Sequence, residues 1–136
     1  MTVSAKTPQP IRAVVVGGTG YGGAELIRLL LGHPGVELCR VTSIDRVDEP
    51  LEAVHHNLSP TGLTFEKMSL TDAAEGMDVV FLALPHKVSA TFAPEIKKIS
   101  ARVVDLSGDF RLRSADDYAN FYGVPHPYPE LLGTFV

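Results

Sequence analysis

Five glycines crowd into the seven-residue stretch Gly17-Gly18-Thr19-Gly20-Tyr21-Gly22-Gly23, and what such a stretch can do chemically it does with its backbone. Gly18-x-Gly20-x-x-Gly23 matches the dinucleotide fingerprint, and Gly17-x-x-Gly20-x-x-Gly23 matches its wider-spaced variant. A tight turn must pass from strand to helix while the main chain approaches a pyrophosphate with no Cβ in the way. The free N–H groups and the positive end of the helix dipole then face the anion. No Gly-Lys-Ser/Thr follows, which excludes a mononucleotide P-loop. The bland alternative is a glycine turn with nothing bound to it.

Three later stretches carry the remaining candidates. Thr42-Ser43-Ile44-Asp45-Arg46 stands where a dinucleotide site reads its adenosine ribose. Ser43 and Arg46 facing the ribose favour NADP, whereas Asp45 facing it repels a 2′-phosphate and favours NAD; the residue types alone leave both open. Ala83-Leu84-Pro85-His86 ends an apolar run where the nicotinamide half would lie, with His86 a candidate contact. Asp105-Leu106-Ser107-Gly108-Asp109-Phe110-Arg111 offers Ser107 and Gly108 as hydrogen-bond partners for a phosphate and Arg111 as its charge partner. The alternative there is a turn with an Asp–Arg surface pair. His55-His56 invites a metal, but adjacent residues rarely chelate one ion and no partner stands at ligand spacing, so no metal site is expected.

These stretches need elements to position them. Ile11–Val16 is a β-rich run whose Ala13–Val16 block shows no polar alternation, as in a strand covered on both faces. Ala24, Ile27 and Leu31 then recur with helical spacing, widened by Leu30, until Gly32 and Pro34 stop the helix. Val36–Ile44 reads as a strand, 45–60 as loop with one helical turn, Leu63–Phe65 as a short strand and Thr71–Gly76 as a short helix or turn. Val79–Leu84 is the strongest strand. Ser89–Ile99 reads as a helix with Pro94 near its first turn or kinking it, and Arg102–Leu106 as the last strand. The tail from Tyr118, rich in Tyr, Pro and Gly, carries no predicted element until an apolar β-like run at 133–136.

Strands alternating with helices imply a Rossmann-type, doubly wound α/β fold, a mainly parallel sheet with helices on both faces. Ligands of such sheets bind beyond the carboxyl ends of the strands, and the candidate residues follow those ends. Residues 1–10 are a loose lead-in and 11–136 a dinucleotide-binding domain.

Composition narrows the function classes. Twelve basic against sixteen acidic residues give a net charge of −4, with no basic run longer than Lys97-Lys98, so nucleic acid is not an expected partner. The longest apolar run, Val79–Leu84, is far short of the roughly 20 residues of a membrane span. The polar start of the chain does not read as a secretory signal. One cysteine, Cys39, forbids an internal disulfide and fits a reducing cytoplasm.

Gly17-Gly18-Thr19-Gly20-Tyr21-Gly22-Gly23-Ala24-Glu25-Leu26 resembles the opening of N-acetyl-gamma-glutamyl-phosphate reductases, of the semialdehyde dehydrogenase family. Val41-Thr42-Ser43, Phe81-Leu82-Ala83-Leu84-Pro85-His86, Asp105 to Leu112, Phe121 to His126 and Pro129-Glu130-Leu131 agree with it. The chain departs from that pattern at Gly108, usually Ala, and at Ile44-Asp45-Arg46, where Arg commonly follows Ser directly.

The resemblance implies arginine biosynthesis. N-acetyl-glutamyl 5-phosphate and NADPH yield the semialdehyde, NADP and phosphate. Relatives act on aspartyl phosphate or a carrier-bound aminoadipyl phosphate. Thr19, Gly20, Tyr21 and Gly22 would hold the pyrophosphate, Ser43 and Arg46 the 2′-phosphate, and Leu84, Pro85 and Ser107 would lie toward the nicotinamide. In that chemistry a thiolate displaces phosphate, hydride reduces the thioester, and the thiol leaves as the aldehyde forms. Cys39, mid-strand between Leu38 and Arg40, is misplaced for that role and reads as a small buried side chain. The resemblance implies that the catalytic Cys and His and a substrate-binding, dimer-forming domain lie beyond Val136. The 136 residues alone are expected to bind the cofactor, to engage the acyl phosphate only with that second domain, and to be silent in catalysis.

Two other classes fit the residues less well. An extended short-chain dehydrogenase needs a Tyr-x-x-x-Lys base, and none of Tyr21, Tyr118, Tyr122 or Tyr128 is followed by Lys at that spacing. A non-catalytic redox-sensing module would need a partner-binding element, which the sequence does not offer.

Overall fold

A computed structural model describes residues 8–135. Five strands form one sheet: β1 (Ile11–Val16), β2 (Val36–Thr42), β3 (Phe65–Glu66), β4 (Val79–Leu82) and β5 (Arg102–Asp105). All pairs are parallel, in the order β3-β2-β1-β4-β5. Between them run α1 (Tyr21–Leu31), the single turn α2 (Leu51–Val54), α3 (Leu70–Ala74) and α4 (Ala93–Ile96). The chain builds outward from β1 to β3, then crosses back to β4, so the sheet reverses its order between β1 and β4. That reversal opens a crevice at the carboxyl ends of the strands.

The unbroken apolar block of β1 has a simple cause. Val14 and Val15 are both fully buried, yet on opposite faces. Val14 joins Leu70, Ala73, Val80, Ala93 and Phe110; Val15 joins Ile27, Leu30, Val41, Leu51 and Phe65. Side chains alternate across a strand, and here both sides are core.

Several expectations change. β2 ends at Thr42, because the Ser43 hydroxyl accepts the Asp45 and Arg46 N–H groups at 3.2 Å each and turns the chain. β4 ends at Leu82, though the Ala83 N–H still donates to Val16. The predicted helix at 89–99 is a 3-10 turn (Ser89–Phe92) running into α4, with Pro94 in the first turn of α4, where its missing N–H costs nothing.

The tail holds a further helix, α5 (Ala115–Tyr122), that the sequence reading lacked. Ser114 caps it by accepting the Asp117 N–H, and Gly123 ends it at φ 71°. The β-like run is turn instead: the Thr134 N–H donates to the Leu131 carbonyl, and Phe135 stacks on Phe110 with centroids 4.3 Å apart. Residues 8–10 carry no regular structure; the rest of the expected lead-in, 1–7, lies outside the described residues, as does 136. Among the described residues no helix is long and apolar enough to cross a membrane.

Candidate dinucleotide-binding cleft

The glycines divide into two groups by what surrounds them. A Cβ at Gly17, which has φ +81°, would come within 2.7 Å of Leu84 and 3.0 Å of the Ala83 carbonyl. A Cβ at Gly18 would overlap Val41, and one at Gly23 would lie 2.8 Å from the Gly18 Cα. These three are required by close packing of loop, helix and sheet. Gly20 and Gly22 are not: a Cβ at either meets nothing within 4 Å. Gly20 also has an ordinary φ of −78°, so neither packing nor backbone conformation demands a glycine there.

Both open glycines face a cleft of about 710 Å³ at the carboxyl ends of β1, β2, β4 and β5, a volume typical of small-molecule sites. Gly17, Thr19, Gly20, Gly22, Gly23, Ser43, Leu84, Pro85, His86 and Ser107 line it, which brings together ten of the thirteen residues singled out in the sequence. Gly18 lies buried behind the loop. The side chain of Tyr21 is fully exposed, leaving only its backbone near the helix start. Arg46 is outside the lining, paired with Glu49 at 3.4 Å. Helix α1 begins with no side-chain cap and no acidic residue in its first turn, so its first N–H groups are left for an anion.

The end of β2 is settled locally. The Ser43 hydroxyl donates to Asp45 Oδ1 at 2.6 Å, and Asp45 lines the cleft beside Ile44. The Ser43 hydrogen bond holds the Asp45 carboxyl below its usual range, with smaller help from its own N–H, the Arg46 charge and Thr19.

The β5 loop works differently from expectation. Ser107 gives both its N–H and its O–H to Asp105, at 2.9 and 3.0 Å, and its oxygen accepts the Asp109 N–H at 3.1 Å. The Gly108 N–H donates to His86 Nδ1 at 2.9 Å. These donors are spoken for, and Arg111 is exposed and outside the lining. Ser107 thus sits in the cleft wall as part of a knitted loop. A Cβ at Gly108 would overlap the Tyr122 hydroxyl, which accounts for glycine at that position.

The surface Asp–Arg pair is absent among the described residues, because Asp109 is fully buried. It accepts the Lys87 and Ala90 N–H groups at 2.8 Å each and the Tyr118 hydroxyl at 3.2 Å. His126 Nε2 donates to the Asp109 carbonyl at 2.8 Å. The Pro85–Val88 turn, strained at Lys87 (φ 73°), is thereby pinned to the β5 loop and α5.

Three residues have a role that sequence reasoning missed. His55, one of the two adjacent histidines, is buried with Nε2 2.7 Å from the Gly18 carbonyl, while His56 is exposed. Met68 and Phe92 complete the apolar wall, and only the fold brings them to it. Cys39 is the extra β2 residue where the register jumps from Ala13–Leu38 to Val14–Arg40, packed against the Val14 core and outside the cleft lining.

Comparison with known proteins agrees with this architecture. The family model described as "Semialdehyde dehydrogenase, NAD binding domain" matches residues 12–134. A LysW-L-2-aminoadipate/LysW-L-glutamate phosphate reductase of Sulfurisphaera tokodaii is 44% identical over 123 residues, covering 90% of this chain and 35% of the relative. An N-acetyl-gamma-glutamyl-phosphate reductase of Magnetococcus marinus is 46% identical with the same coverage. The chain spans about a third of the length of these curated relatives. Among solved structures, aspartate semialdehyde dehydrogenase with NADP from Candida albicans superposes with a TM-score of 0.60 at 19% identity, covering 88% of this chain and 41% of that one. That likeness speaks for the fold. With the family model spanning nearly all of it, the chain belongs to the semialdehyde dehydrogenase family and is its NAD(P)-binding domain.

Proposed function

We propose that the chain is the cofactor-holding part of a nicotinamide-dependent reductase that converts an acyl phosphate to a semialdehyde and releases phosphate. The observation that carries the reading is the pair of open glycines. Gly20 and Gly22 are needed neither by packing nor, at Gly20, by backbone conformation, but a close-lying pyrophosphate needs them bare.

The residues divide the work along the cleft. The backbone of Thr19, Gly20, Tyr21 and Gly22 takes the pyrophosphate at the uncapped start of α1. Gly17, Gly18 and Gly23 shape the turn. Ser43 and Asp45 face the adenosine ribose, with Arg46 set back on Glu49. Leu84, Pro85, His86 and Ser107 wall the nicotinamide end. The bound reduced nicotinamide supplies the hydride. The thiolate that such a reduction requires is not in this cleft, since Cys39 is the sole thiol and sits in β2 against the core.

N-acetyl-glutamyl 5-phosphate, of arginine biosynthesis, is the substrate that the resemblance in sequence favours, and the Magnetococcus marinus relative carries that name. The Sulfurisphaera tokodaii relative, named for carrier-linked phosphates, supports the second substrate at similar identity. The cytoplasm and a homo-oligomeric whole protein complete the proposal.

Calorimetric titration of the chain with NADH and NADPH tests it. Binding of either, lost on Gly20→Val, supports the reading; no heat with both at millimolar concentration overturns it. Acyl-phosphate reduction by these residues after alkylation of Cys39 would overturn the assignment of the thiol elsewhere.

A further inference from the structure

The end of the cleft beside β2 holds a carboxylate and no permanent cation. No Lys or Arg is among the lining residues. Asp45 lines it, with Ile44 on the rim at 87% exposure. Arg46, the nearest guanidinium in sequence, is engaged with Glu49 at 3.4 Å outside the lining.

Ser43, the other polar group there, has no capacity to spare. Its single proton goes to Asp45 Oδ1 at 2.6 Å, and its oxygen accepts two N–H groups, those of Asp45 and Arg46, at 3.2 Å each. A hydroxyl has one donor and two acceptor sites, and all three are taken. Asp45 takes the Ser43 proton on Oδ1, and a carboxylate, with about four acceptor sites, keeps room to accept from a further hydroxyl. The site is therefore equipped to receive donors and not to neutralise an anion.

A ribose 2′-hydroxyl is a donor. A 2′-phosphate, carrying a charge of about −1.5 to −2 near neutral pH, would meet a carboxylate with no cation to offset it. We propose that Asp45 is a specificity-determining residue that makes this cleft take NADH in preference to NADPH. The inference rests on the cleft being the dinucleotide site.

Isothermal titration with both cofactors, at low and raised salt, tests the two layers separately. The wild-type chain binds NADH about tenfold more tightly than NADPH, the order expected of a close like-charge contact at an exposed position. Raised salt narrows the gap by screening the repulsion. Asp45→Asn and Asp45→Ser tighten NADPH, weaken NADH, and move the ratio about tenfold toward NADPH.

Binding of neither cofactor overturns the cleft assignment itself. Tighter NADPH than NADH binding by the wild type overturns the inference and leaves the cleft assignment standing, as does a ratio that neither variant moves. The salt series needs only the wild-type chain, so it decides the matter even where a variant does not fold. A gap that raised salt leaves unchanged counts against Asp45 as its cause.

Discussion

His55 Nε2 lies 2.7 Å from the Gly18 carbonyl oxygen, joining the loop after β2 to the glycine turn after β1. A carbonyl only accepts, so Nε2 carries the proton. The ring stands edge-on to Phe65, with centroids 5.8 Å apart, in the core that Gly18 also touches.

His55→Ala is therefore expected to cost about 1–3 kcal/mol, through a buried carbonyl left without its donor and a small cavity beside Phe65. His55→Gln, which keeps an N–H donor, recovers part of that loss. Urea denaturation of the three proteins checks the order. Equal stability of all three would mean that the contact contributes nothing.

The two groups of glycines should separate stability from binding. Gly18→Ala pushes against Val41 and Ile27 and lowers stability by about 1–3 kcal/mol. Gly20→Ala, with open space around it, changes stability by less than about 1 kcal/mol. Its methyl group nevertheless projects toward the cleft and weakens dinucleotide binding at least tenfold. Melting curves and titrations on the same samples check both halves.

Asp109 holds two backbone N–H groups and the Tyr118 hydroxyl with no exposure to water. Asp109→Ala orphans three donors at once and is expected to cost about 3 kcal/mol or more. Hydrogen exchange should show the loss first at the Lys87 and Ala90 amides. Unchanged protection there would contradict the pinning role of Asp109.

Burial, reinforced by the Asp109 carboxylate, pushes the Tyr118 hydroxyl up from 10 to about 12. The folded state therefore holds this proton more tightly than the unfolded chain does. The resulting stabilisation is fully present below pH 10 and is lost as pH rises toward about 12. Tyr118→Phe removes this part of the alkaline slope, while Tyr128→Phe leaves it. Chemical denaturation at a series of pH values between 9 and 12 makes the comparison.

Much of this protein was legible before any coordinates. The glycine loop, the both-sided apolar block of β1 and the stop at Gly32 are short-range signals, because backbone preference and side-chain periodicity act within a few residues. Helix α5 was legible too, in Ser114 three residues before Asp117 and in Gly123 after the last turn, but its aromatic and proline-rich surroundings masked it. The β-like look of 133–136 misled for the complementary reason: an apolar run has no strand to join unless the fold supplies one.

The tertiary structure alone decided which loop side chains face the cleft. Asp45 and Arg46 are neighbours of opposite charge, and nothing in their order says that Ser43 keeps the first in the cleft while Glu49 draws the second away. Asp109 looked like half of a surface pair until α5 and the Pro85–Val88 turn closed over it. His55 found its partner 37 residues away in the chain. Local pattern determines which elements form; the competition among distant donors, acceptors and charges, settled only when those elements meet, determines what each loop residue is free to do.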